Sequence, residues 1–237
     1  FRYLVGGTAE EPIFEDVSDR AIENLSKLGI EGLIVIGGDG SLNIAHQFYK
    51  KGVPVVGVPK TIDNDLSATE VTFGFNTAVD TATEALDRLH TTAESHHRVM
   101  ILEVMGRYAG WIALHAGIAG GADVILIPEI PYDINRIKAK IADRYIHGKK
   151  FSIMVVAEGA KPKDGEMVIQ KLVPTSHDPV RLGGIGNKVA KDIEEAADFI
   201  LDNKDNIPML PPQVEEFIAS VTNSIQDIAV ASSKYLV

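Results

Sequence analysis

Five short apolar runs punctuate this chain, and each is followed by a longer amphipathic stretch. They are GLIVI (32–36), VPVVGV (53–58), RVMILEV (98–104), DVILIP (123–128) and FSIMVVAEG (151–159). A continuous β-branched run is the pattern of a strand covered on both faces, as in a parallel sheet flanked by helices. The stretches between them read as helices over 17–28, 41–50, 76–92, 108–120 and 133–147, with Ser18 a candidate N-cap for the first. Strand–helix alternation implies an α/β fold with a mostly parallel sheet and crossover connections. The segment 160–182, with Pro162, Pro174 and Pro179, reads as loop. Helical patterning resumes over 184–201 and again over 212–230, after Pro211 and Pro212.

At 237 residues the chain can bury a sizeable core in one large domain or two small ones. No apolar run approaches the ~18–20 residues of a membrane span, and FRYLVGGTAEE lacks the basic and apolar regions of a signal peptide. There is no Cys, which excludes disulfide and thiolate chemistry and fits a reducing compartment. The formal charge of −10 argues against a nucleic-acid partner. An anionic small substrate stays open, because local charge decides that.

Gly37, Gly38, Asp39, Gly40 and Ser41 lie between the first apolar run and a helix. In open α/β sheets ligands bind at the carboxyl ends of strands. Glycines let the backbone approach a phosphate, and free N–H groups at a helix start face an anion. Asp39 would repel a phosphate unless Mg²⁺ lies between them. The alternative is a tight strand-to-helix turn capped by Ser41. The carboxylate within the turn and the apolar strand before it favour phosphate binding.

The second run leads into Pro59–Asp65, PKTIDND. Asp63 and Asp65 are two residues apart, and an extended loop could aim both to one side. One could accept a proton from a hydroxyl while the other helps hold a metal, and Lys60 could meet a phosphoryl oxygen. A positioned base, a metal and cations are the parts of phosphoryl transfer. A polar turn, with Asp and Asn capping nearby N–H groups, is the other reading.

IGGDGS, PKTIDND, FGFNTA, SHHRVMILEVMGRYAGWIA and VVAEGA occur in this order at close spacing, and together they resemble the 6-phosphofructokinase family over about residues 17–195. The resemblance implies two α/β sandwich lobes with mostly parallel sheets. A nucleotide lobe would occupy 1–73 and a sugar-phosphate lobe 74–195, leaving an unaligned helical segment over 196–237. It implies transfer of the ATP γ-phosphoryl group to the 1-hydroxyl of fructose 6-phosphate in the cytoplasm, by a homotetramer or homodimer with no membrane partner. Position by position, it assigns the nucleotide phosphates to Gly38, Asp39, Gly40 and Ser41, with Asp39 a Mg²⁺ ligand and Asp65 near the metal. Asp63 becomes the base, with Thr61 and Ile62 lining the sugar site. Arg98, Met105, Gly106, Arg107 and Glu158 go to the sugar phosphate, Arg98 reaching a neighbouring subunit's site. Lys60 and Arg107 are expected to offset transition-state charge. For Arg98 and Arg107 the plainer alternative is a surface ion pair, and for Glu158 a loop carboxylate. His96 and His97 are read as structural and Trp111 as a packing residue.

Two positions bear on the donor within that family. Gly40 leaves room for ATP, where an aspartate marks pyrophosphate users; Lys60 is usual in pyrophosphate enzymes. An absent side chain permits a large donor and a lysine does not forbid one, so ATP is expected, with pyrophosphate dependence or a non-catalytic ligand-sensing role as alternatives. The family's early GGDxPGxN loop and late HxQRGGxP segment have no counterpart in these residues. The chain is therefore expected to represent ordered segments of a longer protein, with a truncated protein as the alternative.

Overall fold

The computed structural model describes residues 2–8, 11–174, 179–202 and 230–232. The elements, in chain order, begin with β1 (Arg2–Gly7), β2 (Pro12–Asp16), α1 (Ser18–Lys27), β3 (Leu33–Gly37), α2 (Asp39–Lys50), β4 (Val55–Thr61) and β5 (Phe73–Gly74). They continue with α3 (Phe75–His96), β6 (Val99–Val104), α4 (Trp111–Ala119), β7 (Val124–Leu126), α5 (Ile134–Ile146), β8 (Ser152–Ala157), β9 (Ile169–Leu172), β10 (Val180–Leu182), α6 (Ile185–Asp202) and β11 (Val230–Ser232). The helix expected over 212–230 lies outside the described residues except for Val230, which is in a strand. The chain divides into two compact units. One runs to Phe75 and includes Lys171–Arg181; the other comprises Asn76–Gln170 and the chain from Leu182.

In the first unit the sheet order is β3-β4-β5, all parallel, with Leu33 opposite Val55 and Gly37 opposite Pro59. Helix α2 covers one face: Ala45 and Phe48 are buried, and Leu42 Cδ2 lies 3.0 Å from where a Gly57 β-carbon would be. Among the described residues the other face has no covering layer, with Ile34 73%, Ile36 62% and Val56 63% exposed. This corrects the expectation of a strand covered on both faces. A continuous apolar run signals suitability for burial and cannot report whether a second layer is present. A further correction concerns α1. Ser18 is its first helical residue, not its N-cap; Asp16 Oδ1 accepts from Ser18 N at 2.9 Å, while Ser18 Oγ accepts from Lys51 Nζ at 2.6 Å.

In the second unit the order is β11-β6-β8-β7, again parallel, with Val99–Val104 paired in register with Ser152–Ala157. Here the apolar runs are covered as expected. Ile101, Met154 and Val156 pack with Ile137 and Ile141 of α5 and with Ile185 and Val189 of α6. Burying each such side chain contributes about 1.5–3 kcal/mol. The β1–β2 antiparallel ribbon and the β9–β10 ribbon were not expected from the sequence.

Candidate active site

The first unit brings the glycine turn and the acidic loop together at the carboxyl edge of β3 and β4. Gly38 is the N-cap of α2 with extended backbone, and no side chain caps that helix. The capping role considered for Ser41 is therefore not filled; Asp39, Gly40 and Ser41 form the first turn, where backbone N–H groups lack intrahelical partners. A β-carbon on Gly38 would lie 3.3 Å from Thr61 Cβ. A hydrogen at position 38 leaves the turn this close to β4 without displacing Thr61.

Strand β4 runs further than the sequence suggested, through Pro59 and Lys60 to Thr61, because Phe73 and Gly74 pair beside Lys60 and Thr61. The loop that follows is pinned from within. Thr72, buried, donates from Oγ1 to Thr61 O at 2.7 Å, and Thr72 N donates to Asn64 Oδ1 at 2.9 Å. Asn64 occupies the left-handed region at φ 52°. Asp63 N donates to Thr61 Oγ1 at 3.3 Å, and Asp63 Oδ1 is buried. Ile62 is half-buried, while Lys60, Asp39 and Asp65 are exposed. Sequence reasoning missed Thr72, while Asn64 takes up a nearby N–H as the polar-turn reading has it. The Asn before Asp65 was a usable signal, since Asn tolerates left-handed backbone.

The donor set suits magnesium, which usually keeps several waters and takes only one or two protein carboxylates beside substrate phosphates. Asp39 at a helix start meets that pattern. Among the described residues no three His, Cys, Asp or Glu side chains gather as a larger metal cage. A cavity of about 530 Å³ flanks α2 and β4, bounded by Leu42, His46, Tyr49, Gly57 and Leu66. None of the candidate site residues lines it.

In the second unit, Met105, Gly106 and Arg107 follow the carboxyl end of β6. Gly106 has φ 142° and Arg107 φ 52°. Glu158, just past β8 and 5% exposed, accepts from Arg107 N through Oε1 at 3.2 Å, while its own N–H bonds to Val104 O at 2.9 Å. The Arg107 guanidinium carbon lies 5.6 Å from the Tyr108 ring centroid. Arg98 is not brought to this turn. It precedes β6, and six residues of strand separate the two arginines by about 20 Å. His96 ends α3, with Nδ1 2.8 Å from Ser95 Oγ, and His97 follows it at φ 57°. Trp111 opens α4 with 43% exposure, its ring set at a steep angle to that of His115 with centroids 6.1 Å apart. Among the described residues no helix is long and apolar enough to cross a membrane.

Parallel sheets flanked by helices, with turns at their carboxyl edges, define an α/β protein of the class whose ligands bind at those edges. The chain belongs to the phosphofructokinase family, whose sequence pattern, Phosphofructokinase, matches residues 5–208. It is 66% identical over 194 residues to "ATP-dependent 6-phosphofructokinase 2" of Clostridium perfringens, covering 82% of this chain and 53% of that protein. It is 53% identical over 194 residues to "Pyrophosphate--fructose 6-phosphate 1-phosphotransferase" of Streptomyces coelicolor, covering 81% of this chain and 56% of that one. The crystal structure of a pyrophosphate-dependent phosphofructokinase from Nitrosospira multiformis superposes with TM-score 0.61 at 27% identity, over 88% of this chain and 55% of that chain. The chain spans about half the length of the curated relatives it matches.

Proposed function

We propose that the chain carries working residues of a kinase that moves the γ-phosphoryl group of ATP to the 1-hydroxyl of fructose 6-phosphate, giving fructose 1,6-bisphosphate and ADP. The observation that carries this reading is the approach of Gly38 to Thr61, which sets an open helix start beside the loop bearing Asp63.

The N–H groups of Asp39, Gly40 and Ser41 bind donor phosphate oxygens, as helix starts do. Asp63 removes the proton of the 1-hydroxyl. The oxygen so exposed attacks the γ-phosphorus in line as the bond to the ADP oxygen breaks. Lys60 and Arg107 offset the negative charge on the transferring group. Asp39, with Asp65 as a second carboxylate, would hold magnesium, which would offset donor phosphate charge. Thr61, Ile62, Met105, Gly106, Arg107 and Glu158 engage the sugar phosphate. Arg98, remote from Arg107 along its own strand, acts in a neighbouring subunit of a homotetramer or homodimer. A glycolytic role of this kind is cytoplasmic.

ATP as donor is supported by Gly40 and by the name of the 66%-identical relative. Pyrophosphate is the second reading, favoured by Lys60 and by the name of the Streptomyces relative. A coupled assay with fructose 6-phosphate and each donor tests both. Turnover with ATP is expected; turnover with pyrophosphate alone would reverse the donor assignment, and binding without turnover would end the kinase reading.

A further inference from the structure

Helix α4 has no side-chain cap of its own. Its N-cap is Gly110, and Leu114 N bonds back to Gly110 O at 2.9 Å. The N-cap residue's own N–H is satisfied from nineteen residues downstream: Glu129 Oε1 accepts from Gly110 N at 2.9 Å. The second oxygen, Oε2, lies 2.8 Å from where a Gly110 β-carbon would stand, and Ile127 would clash with the same position. Both carboxylate oxygens and the Ile127 side chain thus close on one backbone unit.

That unit ends the turn carrying Arg107. The turn is closed internally by Ala109 N to Gly106 O at 2.9 Å, and Glu158 holds it at Arg107 N. Arg107 has left-handed backbone, a conformation that costs a non-glycine residue about 1–2 kcal/mol and persists only where its surroundings fix it. Glu158 fixes one side of Arg107. Three residues on, Glu129 holds the end of the same turn at Gly110 N.

We infer that Glu129 is a positioning residue: it clamps Gly110 so that the Arg107 turn keeps the conformation the sugar phosphate meets. The inference rests on the kinase reading for its consequence and on the Gly110 hydrogen bond for its cause. The two can be tested apart.

The experiment compares Glu129→Ala and Glu129→Gln with the parent in the full-length protein. Amide exchange at Gly110, followed site by site, reports the clamp without any turnover. Loss of a cap acceptor should speed that exchange about fivefold in the alanine variant, and glutamine, which keeps an acceptor oxygen, should restore it. In the same variants KM for fructose 6-phosphate should rise about three- to tenfold with alanine, kcat should fall with it because Arg107 also offsets transition-state charge, and both should recover with glutamine, while KM for the donor stays within about twofold. Unchanged exchange at Gly110 in the alanine variant would overturn the inference. So would altered exchange with an unaltered sugar-phosphate KM, or glutamine behaving as alanine. If the parent turns over no fructose 6-phosphate, the kinase reading fails by itself. Equilibrium binding of fructose 6-phosphate by calorimetry then replaces KM and judges Glu129 by the same criteria.

Discussion

Gly38 and Thr61 approach so closely that a β-carbon on residue 38 would stand 3.3 Å from that of Thr61, tying the start of α2 to the end of β4. Gly38 has φ −86°, open to any residue, so space and not backbone conformation selects glycine there. Gly38→Ala should be tolerated with a small shift of Thr61. Gly38→Val should overpack the contact, cost about 1–3 kcal/mol, and raise KM for the donor. Thermal melts and donor titration of the two variants check this.

Asp63 is assigned the proton. A single well-placed proton acceptor is worth roughly 10²–10⁴-fold in rate. Asp63→Ser should therefore lower kcat by about that factor while leaving calorimetric donor affinity within twofold. Full activity in that variant would remove the mechanism.

The loop bearing Asp63 depends on a buried hydroxyl. Thr72→Val keeps the shape but strips the donor from Thr61 O, leaving that carbonyl short of a partner. The cost should be about 1–3 kcal/mol in urea unfolding. Thr72→Ser should recover most of it.

Glu103 is buried in β6 and accepts from Gly184 N at 2.8 Å and Gly186 N at 2.9 Å, at the start of α6. Anions at helix starts are favourable, and two stranded N–H groups are not. Glu103→Leu should destabilise the protein by roughly 2–5 kcal/mol, and Glu103→Gln by less. Denaturation midpoints of both variants measure the difference.

Asp16 provides a pH test. Its carboxyl is held below the ordinary 3.8, chiefly by the backbone N–H of Ser18 and next by the Ser18 side chain. Its folded value is depressed, so its contribution to the start of α1 is fully present above the unfolded value. That contribution fades as pH falls through the folded one. The Ser18 amide shift should titrate with a midpoint under 3.8, and Asp16→Asn should abolish that transition.

Much of this architecture could be read from residues alone, because buried parallel strands leave unbroken apolar runs. IMVV within β8 and MIL within β6 are buried throughout. What escaped were features decided by distant partners. The cap of α1 was misassigned to Ser18 because Asp16, two residues earlier, makes the same kind of bond. Glu129 and Glu103 reach backbone amides 19 and 81 or more positions away, and no local pattern marks them. The β5 pairing that lengthens β4 involves only Phe73 and Gly74, too short to show a period. For the site, the order GGDGS then PKTIDND was legible, as was an Asn capping a nearby N–H, but the partner that Asn64 finds, Thr72, was not.

The uncovered isoleucines and valine of β3 and β4 have a practical consequence at the bench. A ridge of that kind is what hydrophobic reporter dyes adsorb to. Anilinonaphthalene sulfonate should fluoresce with this stretch of chain even while its amides are protected and its near-ultraviolet dichroism is intact. Brightness in that assay would then register a bare flank of an ordered sheet, and an experimenter relying on the dye alone would mistake a folded sample for a collapsed, half-melted one.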